Sequence, residues 1–332
     1  MENITVKKNS LSTLNGKSTN KGHIFQEAVL LTVILSMVLI MSFASKYFFS
    51  LRNLEALLLG LTVEGPIVLA MVILLIAGGL DLSIGSTLAL SGVVTGLCLV
   101  NGVPLIISIC IGLGSCILVG MINGILISYL KLNPFITTLG MMIALRGLVQ
   151  VIAKGRAVIN LPSTFLVIGQ GKLWGIQFPI YLLLFLVFIG DYALRNMRFF
   201  RQFYYIGGNE KAAFFNGMNV NLIKIIAYSL VSLLAGISGI MLTARIGSAS
   251  VTVGQGIEMR VITAAIIGGA SLMGGKGSIL GAFLGALFMG ILSNSLNLLG
   301  VDVYWQNLIT GMTLISAITI DSLIEKRKKR EK

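Results

Sequence analysis

Apolar positions in this chain come in long runs rather than in short alternations. From Ala28 to Ala44, and with few interruptions from Leu54 to Val103, charged residues are nearly absent. A helix needs about 20 apolar residues to cross ~30 Å of hydrocarbon at ~1.5 Å per residue. The pattern predicts crossings at 28–44, 54–77, 84–103, 105–130, 135–153, 178–194, 222–243, 261–273, 278–299 and 303–323. The expected fold is an all-α polytopic membrane protein of about ten transmembrane helices. The run at 261–273 is too short to cross alone, which predicts a broken or re-entrant helix.

The polar intervals set the domains and the orientation. Residues 1–26 read as a polar cytoplasmic tail, 27–323 as a transmembrane domain and 324–332 as a basic cytoplasmic tail containing EKRKKREK. The first run lacks a small-residue cleavage signature, so it is expected to be a retained span. Basic residues mark the cytoplasmic side. Arg195, Arg198, Arg201 and Lys211 put the loop at about 195–221 on that side together with the C-terminal tail. An even number of crossings then leaves both termini cytoplasmic. Lys46, Arg52, Lys154, Arg156 and Lys172 fall outside, and the larger clusters decide.

Composition agrees: 56% of residues are hydrophobic and 11% charged, against roughly 25% charged in soluble domains. Glycine is 39 of 332 residues, and Gly120 with Gly124 and Gly281 with Gly285 have the spacing that lets helices approach closely. The net charge of +13 sits at helix ends and tails, so it argues for orientation and not for nucleic acid. Cys98, Cys110 and Cys116 lie in apolar runs without CxxC spacing, so neither a disulfide framework nor a metal site is expected. The one histidine, His23, precedes the first span, which disfavours intramembrane enzymology. GGKGS at 274–278 fails as a phosphate loop, because Ala270 stands at the first glycine and Gly277 follows the lysine. No ATP-hydrolysis site and no cofactor of the chain's own are expected.

Polar interruptions carry the rest. In GGLDLSIGS (78–86), Asp81 would cost about 3 kcal/mol if it faced lipid, so it must face protein, water or a helix end. Either Gly78 and Gly79 end one helix and Asp81 caps the next, or Asp81 meets a solute. GGASLMGGKGS (268–278) shares the paired glycines, a leucine four positions on and a shifted Gly-Ser, which suggests matching breaks at Gly268, Gly269, Gly274 and Gly275 in two related halves. Glu64, within TVEGP, reads as a packed polar contact, and Glu258 with Arg260 as a solvated loop pair. RNMRFFRQFYYIGGNEKAAFFNGMNVNLIK (195–224) has the length of a helix lying along the membrane face. It either settles basic side chains among headgroups or docks a soluble partner.

These residues resemble the permease subunits of bacterial ABC importers for sugars, of the ribose, xylose and autoinducer-2 type. GGLDLSIGSTLALSG is similar to that family's GGIDLSVGS signature, NPFITTLGMMIALRGL (133–148) to its PFI-TLG-RG block, and RQFYYIGGNEKAAFFNGMNV (201–220) to its YAIGGN-AA-GI loop. GGASLMGGKGSILG and LNLLGVDVYWQNLITG (296–311) extend the likeness over roughly residues 50–323. The resemblance implies an ATPase-coupling loop at Arg201, Gly207, Gly208, Asn209, Ala212, Ala213 and Gly217. Lys211 stands where many importers have an acid, and Phe200 where a glycine is usual. Asp81, Ser83, Ser86, Asn133 and Thr137 are the candidate polar groups near the path or its gates. The implied partners are a cytoplasmic ATPase that uses ATP and Mg, an extracytoplasmic sugar-binding protein, a second permease copy and membrane lipid, in a bacterial plasma (inner) membrane. The rivals are a branched-chain amino acid ABC permease and an ion-coupled secondary transporter acting alone.

Overall fold

The computed structural model describes residues 17–330, so residues 1–16 of the expected polar tail and 331–332 of the basic tail lie outside the described residues. The structure is 76% helical, and the two strands among the described residues are two residues each. In chain order the elements are α1 (Lys17–Ala44), α2 (Leu51–Ile76), α3 (Ile84–Val100), α4 (Leu105–Ser128) and α5 (Pro134–Ile152). A short helix α6 (Ser163–Gln170) and a hairpin of β1 (Lys172–Leu173) and β2 (Ile176–Gln177) lead to α7 (Phe178–Asn196). Then follow α8 (Arg198–Gly208), α9 (Glu210–Phe215), α10 (Val220–Ile246), α11 (Ile257–Ile267), α12 (Ile279–Leu298) and α13 (Val303–Arg330). Among the described residues seven helices are long and apolar enough to cross a membrane: α1, α2, α4, α5, α7, α10 and α12.

The core is built on α2 and α10. Residues from Ile67 to Ile76 of α2 are buried throughout, and α10 packs against α2, α3 and α4. Lipid gives helices no hydrophobic reason to associate, so close van der Waals packing must hold them. The small-residue pairs do this. A Cβ on Gly120 or Gly124 of α4 would lie 2.6 Å from the Cα of Ser229 or Ile225 on α10. By contrast α4 and α5 turn large apolar side chains outward, among them Leu118, Ile136 and Val151.

Three details differ from the sequence pattern. The run at 261–273 is helical only over Ile257–Ile267, about 16 Å of helix, because Gly268 and Gly269 terminate it. The surface loop forms two helices instead of one, since Asn209 leaves helical geometry (φ −159°) and caps α9. The segment holding α6 and the hairpin has no long apolar run, which is why periodicity missed it.

Candidate functional site

Both glycine breaks end a helix in the same way. At the end of α2, the Gly79 N–H donates to the Leu74 carbonyl (2.9 Å) and the Gly78 N–H to that of Leu75 (2.9 Å). At the end of α11, Ala270 donates to Ala265 (3.0 Å) and Gly269 to Ile266 (2.9 Å). This crossed pair needs a left-handed residue, supplied by Gly78 (φ 76°) and Gly269 (φ 94°). The structural correspondence therefore aligns Gly78 with Gly269 and Ala77 with Gly268, one residue away from the match of glycine pairs. After the breaks, Ser83 and Ser278 stand at the N-caps of α3 and α12.

Asp81 does not cap α3. The helix begins at Ile84, and the carboxylate braces the turn before it: Oδ1 accepts from the Ser83 N–H (2.7 Å) and Ser83 Oγ–H (2.6 Å). Oδ2 accepts from the Asn123 amide (3.4 Å), which also donates to Ser83 Oγ (3.1 Å). Asp81, Ser83 and Asn123 are all fully buried. Tyr228 of α10 closes the same turn, its hydroxyl accepting from the Leu80 N–H (3.3 Å) and donating to the Leu80 carbonyl (3.2 Å). Sequence reasoning passed over Asn123 and Tyr228. An asparagine inside the apolar run of α4 was the available signal, because buried amides in lipid need partners.

The two breaks touch each other and touch α8. The Gly275 N–H donates to the Ile76 carbonyl (2.8 Å). Gly207 sits against the same place: a Cβ there would overlap the Ile76 carbonyl oxygen and lie 2.7 Å from the Gly275 nitrogen. A Cβ on Gly274 would lie 2.7 Å from the Gly207 carbonyl oxygen. Tyr204, one turn earlier in α8, donates to the Gly277 carbonyl (2.8 Å). Sequence reasoning named these glycines separately, as two helix breaks and a loop; the fold joins them backbone to backbone.

Around this junction, α8 and α9 are anchored on one side and open on the other. Arg201 donates through Nε (3.1 Å) and Nη2 (2.6 Å) to the Arg195 carbonyl at the end of α7. Phe199, Phe200 and Phe203 meet edge to face beneath α8. Asn209 accepts from the Ala212 N–H (3.0 Å), capping α9. Glu210 binds Lys224 (2.6 Å) and Lys131 (3.4 Å). Burial opposes its charge, but the hydrogen bonds and charges of these lysines outweigh that and hold its carboxyl below the ordinary value. Ala213, expected to offer surface to a partner, is 3% exposed and packs inward, because it faces the core side of the α9 turn. The outward residues are Ala212, Lys211, Phe214 and Phe215, the last 84% exposed, beside an open recess that also meets Gly217.

The remaining candidates fall in two places. Ser86, fully buried, donates to the Met142 carbonyl (2.9 Å) and ties α3 to α5. Asn133 caps α5, accepting from the N–H groups of Phe135 (2.9 Å) and Ile136 (3.4 Å), and Thr137 donates back to its carbonyl (2.9 Å). With Lys131 reaching Glu210, this helix start lies beside α9 and shares no hydrogen bond with the Asp81 cluster. Arg260 pairs with Glu64 (3.0 Å) across α2 and α11, in place of the solvated Glu258–Arg260 pair.

Seven long apolar helices, with two helix breaks that meet beneath α8, define a polytopic membrane protein. The chain belongs to the family described as branched-chain amino acid transport system / permease component, which matches residues 53–318. It is 36% identical over 296 residues to the ribose import permease protein RbsC of Escherichia coli (strain K12), covering 88% of this chain and 92% of that protein. Against RbsC of Bacillus subtilis (strain 168) the identity is 37% over 287 residues, covering 86% and 89%. The D-allose transport system permease protein AlsC of Escherichia coli (strain K12) is 34% identical over 288 residues, covering 86% and 88%. No solved structure matches the chain.

Proposed function

We propose that this protein is the membrane-spanning subunit of an ATP-driven importer that moves a monosaccharide into a bacterial cell. The observation that carries the mechanism is the junction of Gly207 with Ile76 and Gly275, which lets a displacement of α8 and α9 reach both helix breaks without an intervening side chain. A separate cytoplasmic ATPase, using ATP and Mg, engages the exposed face of α9. This chain supplies no ATP site and binds no cofactor in the cycle. An extracytoplasmic binding protein delivers the sugar, and a second permease copy closes the open side of the path. Ten crossings with both termini in the cytoplasm follow when α3, α13 and the short α11 are counted with the seven long helices. The basic residues of 195–221 and of the C-terminal tail support that orientation.

No covalent chemistry is required of the chain. Sugar release and ATP-linked closure shift the populations of outward-open and inward-open states, and α8 is the element through which the ATPase biases them. The family description names branched-chain amino acids, but the relatives named for ribose and allose, with the GGLDLS block, favour sugar. The test is reconstitution with the cognate ATPase and binding protein in proteoliposomes, where D-ribose uptake should require ATP. Uptake by this chain alone, with no ATPase present, would sink the reading in favour of a secondary transporter.

A further inference from the structure

Residues 247–256, between α10 and α11, form no helix, yet they lead to the middle of the molecule. Ala249 pairs with Val158 in the segment after α5, whereas Arg260, in the first turn of α11, reaches Glu64 near the centre of the 26-residue α2. The segment also packs directly on the start of α3, with the Gly254 carbonyl against the Gly85 backbone. In a membrane, irregular backbone at such depth is tolerated only where protein buries it or where it lines water. Here one side is not buried: Gln255 and Gly256 are exposed.

The exposed side is a groove of ≈ 430 Å³ between α5 and residues 255–258, within the roughly 300–1,000 Å³ usual for small-molecule sites. Its polar lining comprises Arg146 and Gln150, one turn apart on α5, with Gln255 and Glu258 opposite. Arg146 is held in place by donating to the carbonyls of Val251 (3.1 Å) and Val253 (2.8 Å). Polar side chains within a membrane cannot face hydrocarbon cheaply, and among the described residues the side-chain amides of Gln150, in the last turn of α5, and of Gln255 make no hydrogen bond. Each amide offers two donors and an acceptor, the set that sugar hydroxyls match. Behind the lining residues stand Gly85, packed against Gly254 and Glu258, and Ser86, bonded to the Met142 carbonyl, so the end of the GGLDLSIGS segment backs the groove.

We infer that this groove is the sugar-contacting stretch of the transport path, with Gln150 and Gln255 as the residues that bind hydroxyls and Arg146 and Glu258 as the charged pair that keeps it wet. The inference rests on the importer reading above, and Gln150 and Gln255 lie outside every candidate drawn from the sequence. Leucine separates it from a lipid-facing or merely packed surface, since leucine is tolerated at either of those. In proteoliposomes holding the complete importer, the Gln150→Leu/Gln255→Leu double variant should lower D-ribose uptake by about tenfold or more, as two lost hydrogen bonds imply. Its co-purification with the ATPase should be unchanged. Uptake within about twofold of the unaltered protein would overturn the assignment. A second measurement is independent of the cargo. With Cys98, Cys110 and Cys116 replaced by alanine, Gln255→Cys should react with a polar, membrane-impermeant thiol reagent, and absence of reaction would show that the groove is dry and overturn it too. If the unaltered importer moves none of D-ribose, D-allose and L-arabinose, the sugar reading fails, while thiol labelling still decides whether the groove is a water-lined path.

Discussion

The breaks at 77–83 and 268–278 terminate their helices with the same crossed hydrogen bonds, yet they are held in opposite ways. The first is locked from inside: Asp81, Ser83 and Asn123 are fully buried and hydrogen-bonded to one another, with only the Asn123 amide oxygen left without a partner, and Tyr228 bridges both polar atoms of Leu80. The second is braced from the periphery, with Ser271 donating to Asp321 of α13 (3.2 Å), Ser278 to Glu27 of α1 (2.6 Å) and Met273 70% exposed. A buried polar network is costly to disturb, because each stranded group loses its partner where water cannot replace it. Peripheral braces lose far less. The first break is thus the costlier of the two to disturb and the second the cheaper.

Six variants sharpen that contrast. The largest effect is expected at the point where the breaks meet. Gly207→Val puts a Cβ onto the Ile76 carbonyl oxygen, so the variant should lose uptake entirely and melt earlier in detergent, at a cost of about 1–3 kcal/mol. Next comes the first break itself. Asp81→Ala strands the Ser83 N–H and the Ser83 hydroxyl proton at about 1–3 kcal/mol each, whereas Ser271→Ala at the other break should cost about 1 kcal/mol or less. Equal losses of melting temperature for the two variants would remove the distinction. Asp81→Asn keeps an acceptor for Ser83, and preserved uptake in that variant would assign Asp81 to the fold instead of to the cargo.

Smaller effects are expected further out. Phe214→Ser/Phe215→Ser changes only exposed surface of α9, so co-purification with the ATPase should fall by about tenfold while the melting temperature holds. A loss of melting temperature instead would mean that these rings pack within the permease. The least effect is that of Glu210, 43% of whose side chain is exposed. Its folded-state value is lowered, so its contribution is complete above the ordinary value of 4.5 and fades as pH falls through the lowered one. Solvent screening keeps that contribution to about 1 kcal/mol or less. Glu210→Gln should therefore match the unaltered protein in melting temperature in strong acid and fall slightly below it near neutral pH.

Much of this architecture was legible in the residues, and for definite reasons. Long apolar runs report membrane helices directly, so the runs at 54–77, 105–130 and 222–243 return as α2, α4 and α10. Gly78 and Gly269 were legible as breaks because few other residues tolerate the left-handed geometry that ends a helix this way. Contacts between distant segments were not legible. Nothing in the order of residues says that Gly207 rests on Ile76, 131 positions away, or that Arg260 answers Glu64. Ala213 shows a further limit: a small residue in a surface loop looks the same in sequence whether it faces a partner or its own core.

The junction at Gly207, Ile76 and Gly275 is made of main-chain atoms, which has a consequence for how such a protein can change over generations. Main chain has no side-chain vocabulary, so under the proposed importer function the link from α8 to the two breaks would carry no imprint of the cargo. Substitutions along α5 and at 255–258 would then retune what is carried while the contact of α8 with both breaks stays the same. Such a machine would diversify in its passengers without redesigning its gearbox.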